Sequence, residues 1–386
     1  MKYYVIAGEA SGDLHGSNLI KALQTEDPQA DFRAWGGDLM EQAGAQLVKH
    51  YRDLAFMGFW EVALNLRTIL RNIRFCKQDI TTYEPDVLIL IDYPGFNLRI
   101  AKWAHRQGLR VYYYISPQLW AWHSSRVRHI KASVDRMFVI LPFEKDFYAA
   151  HDYPVDFVGH PLLDVIEDRP VDEQFRTACG LDERPLVALL PGSRRQEISR
   201  MLDVMLQVVP AFPDCQFAIA GAPSIPASEY TAIIEAARRE HGLDAAPAAV
   251  PVISDRTYDL LQHADAALVT SGTATLETGL FGVPQVVCYR GSALSYHIAR
   301  RVVNVEYISL VNLILEAPLV EELIQERFTA ATLRQALSRL FEPERRRVLR
   351  EGYDQLRQRL GQAGASRRAA QLMIRYLRGG ERTEQP

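Results

Sequence analysis

Residues 86–91 read DVLILI and run directly into Asp92-Tyr93-Pro94-Gly95. The run is short, apolar and rich in Leu and Ile, and Pro85 and the Pro94-Gly95 turn bound it. That pattern predicts a strand buried on both faces, as in a parallel sheet. Asp92 then follows the carboxyl end of the strand, which is the edge where open α/β sheets bind ligands.

The segment that follows Asp92 is basic and aromatic. No Asp or Glu occurs from position 93 to position 134. The same stretch carries seven cationic side chains: Arg99, Lys102, Arg106, Arg110, Arg126, Arg128 and Lys131. One acid ahead of a long basic segment suggests a general base that works on an anionic substrate.

Strand and helix signals alternate outward from this run, which predicts βαβ units and parallel sheets. A length of 386 residues favours two domains. The predicted strands of the first half are 3–7, 31–35, 87–91, 111–115, 137–140 and 156–158, and those of the second half are 186–190, 216–220, 248–253, 266–270 and 285–289. We therefore expect an α/β protein with two Rossmann-like domains facing a central cleft. The first spans 1–165 and is completed by a C-terminal helix at 362–378, and the second spans 171–361.

Composition excludes several classes. The net charge of −3 argues against general nucleic-acid binding. The four cysteines are far apart and form no CxxC pair, which argues against a disulfide framework or a zinc site. The N-terminus has no signal-peptide pattern, and no apolar run approaches the roughly 20 residues that span a bilayer. We expect a cytoplasmic protein that meets a membrane only at its surface.

The first glycine loop, Gly8 to Gly16, follows the first predicted strand. Its glycines are four residues apart, which does not fit the G-x-G-x-x-G fingerprint and counts against an NAD enzyme. The loop lies where nucleotide-binding folds have their phosphate loop, and the alternative is a tight strand-to-helix turn with Asp13 as a cap.

Two loops of the second half suit phosphate groups. In the first, Ser193 and Arg194 follow a strand, and the arginine fork can hold a phosphate. The alternative is a surface turn with arginines in solvent. The second loop places small and hydroxyl residues at a helix N-terminus, where free N–H groups and the helix dipole favour a diphosphate. Its residues are Ser271, Gly272, Thr273, Ala274 and Thr275.

Glu277 lies one turn into that helix and is placed to accept hydrogen bonds from ribose hydroxyls. The alternative is ordinary capping with a buried Glu277, but a carboxylate in an apolar helix needs partners. No Asp-x-Asp pair occurs, so the sequence does not indicate a metal. Arg194 and the helix N-terminus would then neutralise the leaving diphosphate.

Two further segments carry aromatic side chains. Residues 115–123 read ISPQLWAWH after a strand and suggest a sugar or acyl pocket that includes Gln118 and Trp120, or ordinary loop packing. Phe56, Met57, Phe59 and Trp60 precede a helix that has Arg67, Arg71 and Arg74 on one face and no acid from 62 to 78. That helix is either an interfacial membrane site or an ordinary amphipathic helix on its sheet, and the missing acids favour the membrane.

Six motifs together resemble the lipid-A-disaccharide synthase family. In chain order they are GEASGD at 8–13, ID with FN at 91–97, SPQLWAW at 116–122, VGHPL at 158–162, LPGSR at 190–194 and SGTATLE at 271–277. The resemblance implies a GT-B glycosyltransferase of lipopolysaccharide biosynthesis. It implies transfer of 2,3-diacylglucosamine from UDP to 2,3-diacylglucosamine 1-phosphate, giving a β(1→6) disaccharide and UDP.

The resemblance also implies roles for residues. Asp92 is the implied catalytic aspartate, Arg194 a diphosphate ligand and 271–277 the nucleotide site. The residues expected at the acceptor or in the cleft are Gly8, Ser11, Gly12, Asp13, Asn97, Gln118, Trp120 and Asn312. No cofactor is implied. The expected partners are the two sugar substrates and the inner-membrane surface, with a homodimer left open.

Two departures from the family pattern concern loop geometry. The family more often has Ala-Pro-Asp after the catalytic Asp, where this chain has Tyr93-Pro94-Gly95. We therefore expect Asp92 to lack a second carboxylate. The usual proline before Asn312 is Val311 here.

Two other functions stay open at this point. A UDP-sugar 2-epimerase shares the expected fold but needs no lipid acceptor. A nucleotide-sugar or lipid-binding protein without catalysis leaves Asp92 unexplained.

Overall fold

The structure, a computed structural model, describes residues 1–54, 66–122, 127–167, 169–223, 225–242, 250–291 and 306–379. The chain forms two compact units. The first consists of Met1–Asp164 with Leu360–Pro386, and the second of Val165–Arg359. Both are parallel sheets with helices, which confirms the predicted α/β class and the helical C-terminus.

The first unit contains a parallel sheet of seven strands. They are β1 (Lys2–Ala7), β2 (Asp31–Gly36), β3 (Gln46–His50), β4 (Val87–Ile91), β5 (Arg110–Tyr114), β6 (Arg136–Val139) and β7 (Asp156–Phe157). Their order is β3-β2-β1-β4-β5-β6-β7, and every pairing is parallel. All five residues of β4 are buried, as its apolar sequence predicts.

The helices of the first unit cover this sheet. In chain order they are α1 (Ala10–Glu26), α2 (Asp38–Gln42), α3 (Leu66–Tyr83), α4 (Pro94–Arg106), α5 (Leu119–Trp122), α6 (Val127–Lys131), α7 (Glu144–Ala149), α8 (Pro161–Ile166) and, from the C-terminus, α17 (Ala365–Gly379). A short 3₁₀ turn lies at Tyr51–Leu54. Helix α8 leads out of this unit at its last residues.

The C-terminal helix α17 packs against α1. Asp164 fixes its beginning, because the carboxylate accepts hydrogen bonds from the backbone N–H groups of Gly364, Ala365 and Ser366 at 2.5, 3.0 and 3.0 Å. A carboxylate at this place satisfies N–H groups that have no partner within the helix. The last helix of the chain is therefore an integral part of the first unit.

The second unit contains a parallel sheet of six strands. They are β8 (Leu186–Leu190), β9 (Gln216–Gly221), β10 (Val252–Ser254), β11 (Ala266–Thr270), β12 (Gln285–Tyr289) and β13 (Glu321–Ile324), in the order β10-β9-β8-β11-β12-β13. Strands β3 and β13 were not predicted from the sequence. Both lie at sheet edges and are mostly half-buried.

The helices of the second unit begin with α9 and end with α16. They are α9 (Phe175–Ala178), α10 (Arg195–Leu206), α11 (Ala227–His241), α12 (Thr257–His263), α13 (Thr273–Leu280), α14 (Leu310–Leu315), α15 (Ala330–Arg339) and α16 (Pro343–Leu360). Short 3₁₀ turns lie at Val209–Ala211 and Gln325–Arg327.

Each sheet has one point at which the strand order reverses. In the first unit it lies between β1 and β4, and in the second between β8 and β11. Ligands of open α/β sheets bind beyond the carboxyl ends of the strands at such a point. The fold therefore marks one candidate site in each unit.

Candidate functional site

Gly8 and Asp92 follow the two strands at the reversal point of the first unit. The ladder between β1 and β4 ends with Ala7 beside Ile91, so the next residue of each strand is Gly8 and Asp92. The glycine loop and the Asp92 turn are therefore neighbours at the same sheet edge.

The backbone at Asp92 is held in an uncommon conformation. Asp92 and Tyr93 have φ of 42° and 49°, in the left-handed region that non-glycine residues rarely occupy. The buried amide of Asn97 donates to the Asp92 carbonyl at 2.7 Å and to the Ile91 carbonyl at 3.2 Å. The Tyr113 phenol donates to the same Asp92 carbonyl at 2.5 Å. Strain that is fixed in this way is typical of functional sites.

The Asp92 side chain is half-buried. Burial, together with the negative charge of Glu9, raises the pKa of Asp92 to about 7. A carboxyl with such a pKa is a far better base near neutral pH than an ordinary aspartate. The carboxylate of the family pattern is absent, as Gly95 stands in its place, but our expectation that Asp92 is then alone is wrong, because the charge of Glu9 from the glycine loop acts on it.

The sequence offered one signal for Glu9, which stands two residues after the end of the first strand. This position places Glu9 near Asp92 only if β1 is known to lie beside β4 in the sheet.

The glycine loop is shaped by its close packing. A Cβ atom at Gly8 would lie 2.3 Å from the Tyr93 ring, and one at Gly12 would lie 3.1 Å from the Cβ of Ala7. Ser11 is exposed at the first turn of α1. Gly8 thus leaves room for the Tyr93 ring beside Asp92.

Asp13 caps a neighbouring helix. It is buried and accepts hydrogen bonds from the N–H groups of Gly37, Leu39 and Met40 at 2.7, 3.1 and 3.1 Å. These groups belong to the start of α2, so the cap serves α2 and not α1, the helix on which Asp13 stands. This geometry gives Asp13 a structural role, and a contact of Asp13 with a ligand stays a prediction.

The segment after β5 forms a third part of the same edge. Ile115 has φ of 65°, which is unusual for a β-branched residue. Ser116 and Tyr148 share a hydrogen bond of 2.6 Å between their hydroxyls. The Trp120 ring packs edge-to-face on Phe143 with centroids 4.9 Å apart. Gln118 is exposed.

A buried acid lies beneath this segment. The Glu144 side chain is only 1% exposed and accepts hydrogen bonds from the N–H groups of Ile140 and Leu141 at 3.2 and 2.9 Å. Burial raises its pKa to about 8, against the opposing effect of the hydrogen bonds from those two N–H groups. Sequence reasoning missed Glu144, because it stands 24 residues beyond Trp120 in a segment without a motif.

The reversal point of the second unit brings together the two loops predicted for phosphate. Leu190 of β8 pairs with Val269 of β11, so residues 191–194 and 271–272 follow adjacent strand ends. Arg194 is the N-cap residue of α10, and both Arg194 and Ser193 are exposed. Glu197 accepts a hydrogen bond from the Ser193 N–H at 3.3 Å.

The N-terminus of α13 is exposed to solvent. Gly272 is the N-cap residue with φ of 152°, and Gly272 and Thr273 are exposed, with Ala274 half-buried. The Ser271 hydroxyl donates to the Ile308 carbonyl at 2.8 Å, and the Thr275 hydroxyl to the Gly272 carbonyl at 2.8 Å. The hydroxyls therefore support the loop, and the exposed helix N-terminus is the part that suits an anion.

Glu277 is held by a tyrosine of another helix. The Tyr258 phenol, on α12, donates to Glu277 Oε1 at 2.9 Å. Burial raises the pKa of Glu277, and this hydrogen bond opposes the rise. Sequence reasoning placed Glu277 at the ribose and missed Tyr258, which stands in a helix without a motif.

Asn312 points into its own unit. Its amide donates to the Val320 carbonyl at 2.9 Å and to Glu322 at 3.0 Å, and its oxygen accepts from the Val320 N–H at 2.9 Å. The residue is only 1% exposed. In this geometry Asn312 supports the segment before β13, so contact with a ligand stays a prediction that needs the side chain to exchange partners.

The predicted membrane residues are described only in part. Phe56, Met57, Phe59 and Trp60 lie outside the described residues. On α3, Arg67, Arg71 and Arg74 are exposed, whereas Ile73, Cys76 and Ile80 are buried. Leu70 and Phe75 are each 45% exposed beside the arginines. Among the described residues, no helix combines the length and hydrophobicity that a membrane span requires.

One group in the described part of the chain has the spacing of metal ligands. It consists of Asp203, Glu240 and His241, in the last turns of α10 and α11. The Nε2 atom of His241 lies 2.8 Å from Asp203. Glu240 and His241 are exposed. The group lies at the C-terminal ends of α10 and α11, whereas the strand-end loops lead into the N-terminal ends of these helices.

The sequence matches a known family over nearly its whole length. The family model described as lipid-A-disaccharide synthetase matches residues 3–375. The chain belongs to the lipid-A-disaccharide synthase family. The lipid-A-disaccharide synthase of Syntrophus aciditrophicus is 41% identical, with 97% of each chain covered. The one from Geobacter metallireducens is 40% identical, with 97% of this chain and 96% of the relative covered.

Solved structures share the fold at low sequence identity. The S. aureus MnaA–UDP co-structure has a TM-score of 0.68 at 14% identity, covering 100% of this chain and 98% of that chain. The calicheamicin glycosyltransferase CalG4 has a TM-score of 0.59 at 16% identity, covering 98% of each chain. The structural neighbours confirm the predicted GT-B fold class and carry no argument about substrates.

Proposed function

We propose that this chain is an inverting glycosyltransferase that forms the lipid A disaccharide. The donor is UDP-2,3-diacylglucosamine, the acceptor is 2,3-diacylglucosamine 1-phosphate, and the products are the β(1→6) disaccharide 1-phosphate and UDP. The observation that carries the proposal is Asp92, a carboxyl with a pKa of about 7 at the reversal point of the first sheet. Membership of the family supplies the substrate class.

Asp92 acts as the general base. It takes the proton of the acceptor 6-hydroxyl while that oxygen forms a bond to the anomeric carbon of the donor. The bond from that carbon to the diphosphate oxygen breaks in the same step, and UDP leaves with the electron pair. One displacement inverts an α-linked donor to a β product, so the reaction needs one base and no nucleophile from the enzyme.

The second unit holds the nucleotide. The exposed N-terminus of α13, at Gly272 and Thr273, and the exposed Arg194 at the neighbouring strand end present positive charge to a diphosphate. Such fixed dipoles and charges stabilise the negative charge that develops on a leaving group. Ser193 and residues 274–277 complete the proposed nucleotide site, with Glu277 at the ribose.

The first unit binds the acceptor and meets the membrane. Its acceptor residues are those at the Asp92 edge: Gly8, Ser11, Gly12, Asp13, Asn97, Gln118 and Trp120. The exposed Arg67, Arg71 and Arg74, with the exposed Leu70 and Phe75, give α3 a basic and apolar outer face. Such a face suits an anionic lipid surface. Peripheral association with the inner membrane follows as part of the proposal.

The test is product formation. The purified protein is incubated with both sugar substrates in detergent micelles, and disaccharide and UDP are quantified by mass spectrometry. We expect both in equal amounts, and loss of both in Asp92→Asn with UDP affinity unchanged. Release of UDP without disaccharide, or a donor altered at C2, would instead indicate hydrolysis or an epimerase.

Metal dependence is tested in the same assay. A chelator should leave the rate unchanged, because the charge on the diphosphate is balanced by Arg194 and α13 in this proposal. A rate that falls with chelator and returns with a divalent cation would contradict this, and Asp203→Asn would then test the exposed group on α10 and α11.

A further inference from the structure

The carboxyl of Glu277 is held by a single side chain among the described residues. Within the described residues, its only hydrogen bond comes from the Tyr258 phenol, at 2.9 Å to Oε1. The two residues stand on different helices, α12 and α13, and α13 begins at the loop proposed for the diphosphate. The other carboxylate oxygen, Oε2, accepts no hydrogen bond from any described group.

The Tyr258 ring is itself fixed by packing. Its centroid lies 5.4 Å from that of Phe281, and the Arg169 guanidinium lies 5.5 Å from the ring centroid. Arg169 is held in turn by an ion pair of 2.6 Å with the largely buried Asp259. A ring with aromatic and cationic contacts has few rotamers open to it, so the direction of its phenol is set before any ligand binds.

This arrangement determines what the Glu277 carboxylate can accept. A carboxylate has two oxygens with about four acceptor positions. Tyr258 uses one position on Oε1 and thereby orients the group. The remaining positions, chiefly on Oε2, suit a pair of neighbouring hydroxyls such as those of a ribose.

The same hydrogen bond controls the charge of Glu277. Burial raises the pKa of this carboxyl, and a hydrogen bond donated to the ionised form lowers it. A neutral carboxylic acid is a weaker acceptor for sugar hydroxyls than a carboxylate. Loss of the phenol would therefore leave Glu277 less well oriented and more readily protonated.

We propose that Tyr258 is a positioning residue for the nucleotide donor, which holds the Glu277 carboxylate so that it accepts hydrogen bonds from the 2′ and 3′ hydroxyls of the UDP ribose. This inference rests on the proposed function, because it presumes that the second unit binds a uridine diphosphate. It adds a residue that no motif of the sequence marks.

The test compares two ligands by calorimetry on the full chain. Tyr258→Phe should bind UDP about tenfold more weakly than the wild type, as expected for loss of a hydrogen bond to a charged group. The affinity for 2′,3′-dideoxy-UDP should change less than about twofold, because this ligand has no hydroxyls for Glu277. A matched control is Tyr376→Phe, which removes a phenol that donates to Asp156 at 3.1 Å in the first unit and should leave both affinities unchanged.

A pH series gives a readout that a merely structural role would not move. UDP affinity should fall at acid pH as Glu277 takes up a proton. In Tyr258→Phe this fall should begin at higher pH, because the hydrogen bond that lowers the Glu277 pKa is lost. Far-UV circular dichroism and the melting temperature verify that the variant is folded.

Glu277→Gln separates this inference from the proposed function. If the variant loses UDP affinity and Tyr258→Phe adds no further loss in the double variant, the two residues act as one unit, as we expect. If Glu277→Gln weakens UDP binding and Tyr258→Phe does not, the positioning role is wrong and the nucleotide site stands. An equal loss for UDP and dideoxy-UDP, or an unmoved acid limb, also overturns the inference. Failure of the wild type to bind UDP overturns both proposals.

Discussion

Asp92→Asn should abolish most of the activity and make the protein more stable above neutral pH. The substitution keeps the size of the side chain and removes the base. General base catalysis contributes about 10²- to 10⁴-fold, so kcat should fall by that factor while UDP affinity is retained. The retained affinity matters because UDP is proposed to bind the second unit, which Asp92 does not belong to.

The stability gain follows from the raised pKa. The Asp92 pKa is about 7 in the folded protein, against an ordinary aspartate value of 3.8 in an unfolded chain. The folded state thus favours the neutral carboxyl more than the unfolded state does. As the pH rises from about 4 through about 7 the carboxyl ionises, and the free energy of unfolding falls for this reason. A difference of about three pKa units corresponds to about 4 kcal/mol, which is an upper limit because Asp92 keeps contact with solvent. We expect a gain of about 1–3 kcal/mol in the Asn variant at about pH 8.

The assay is urea unfolding of wild type and variant at about pH 5 and about pH 8, with fluorescence and circular dichroism recorded together. The difference between the two proteins should be small at the lower pH and larger at the higher pH. Asp146→Asn is the control, because Asp146 is an exposed acid of the same unit. This comparison separates the effect of Asp92 from the effect of removing one exposed carboxylate of the unit.

Two results would refute the reasoning. A kcat within about threefold of the wild type would remove Asp92 as the base. A stability difference that is equal at both pH values would mean that the carboxyl titrates normally. The first result would leave the Asp92 backbone strain without a functional explanation.

The neighbours of Asp92 give three further predictions. Glu9→Gln should shift the acid limb of the profile of kcat against pH to lower pH, because removal of the neighbouring negative charge lowers the Asp92 pKa. An unmoved acid limb would mean that Glu9 does not influence the Asp92 pKa. Gly8→Ala should lower the free energy of unfolding in urea by about 1–3 kcal/mol and should also lower kcat, because the new Cβ would lie 2.3 Å from the Tyr93 ring. Adding Tyr93→Gly should restore part of the stability and part of kcat. Asn97→Ala should lower the free energy of unfolding by about 1–3 kcal/mol and should lower kcat with UDP affinity unchanged, because it removes the amide that donates to the Asp92 carbonyl. Calorimetry measures the UDP affinity and the disaccharide assay measures kcat. An unchanged kcat would contradict the prediction.

The strands that carry the sites could be predicted from the sequence because their signal is local. Strands β4, β8 and β11 are continuous apolar runs that end in turn residues, and buried parallel strands have this pattern. The edge strands β3 and β13 have half-buried residues and no such run. Edge strands are therefore decided by their neighbours in the sheet, which a single sequence does not show.

Side-chain partners from distant segments could not be predicted. Asp13 was expected either as a cap of its own helix or as a ligand residue, and it caps α2, which lies 24 residues further on. The effect of the Glu9 charge on Asp92 could be inferred only from the order of β1 and β4 in the sheet. The Tyr258 hydrogen bond to Glu277 likewise joins two helices separated by a strand. In each case the residue type was visible and the partner was set by topology.

The two reversal points differ in backbone conformation, and the two roles proposed for them differ in the same way. In the second unit the loops that follow β8 and β11, at the reversal point, have positive φ only at glycines, Gly192 and Gly272, where such a conformation costs little. There the backbone N–H groups are proposed to bind the ligand, so no side chain is needed at those positions. In the first unit positive φ falls on Asp92 and Tyr93, each at a cost of about 1–3 kcal/mol.

A glycine at position 92 would relieve this strain but would remove the carboxyl. The hydrogen bonds from Asn97 and Tyr113 to the Asp92 carbonyl offset the cost and keep the turn in place. The strained backbone is therefore found where the proposed reaction needs a side chain, and the glycine backbone where the proposed diphosphate site needs only N–H groups. This difference supports the proposed base in the first unit and the proposed anion site in the second, and it does so without reference to any motif.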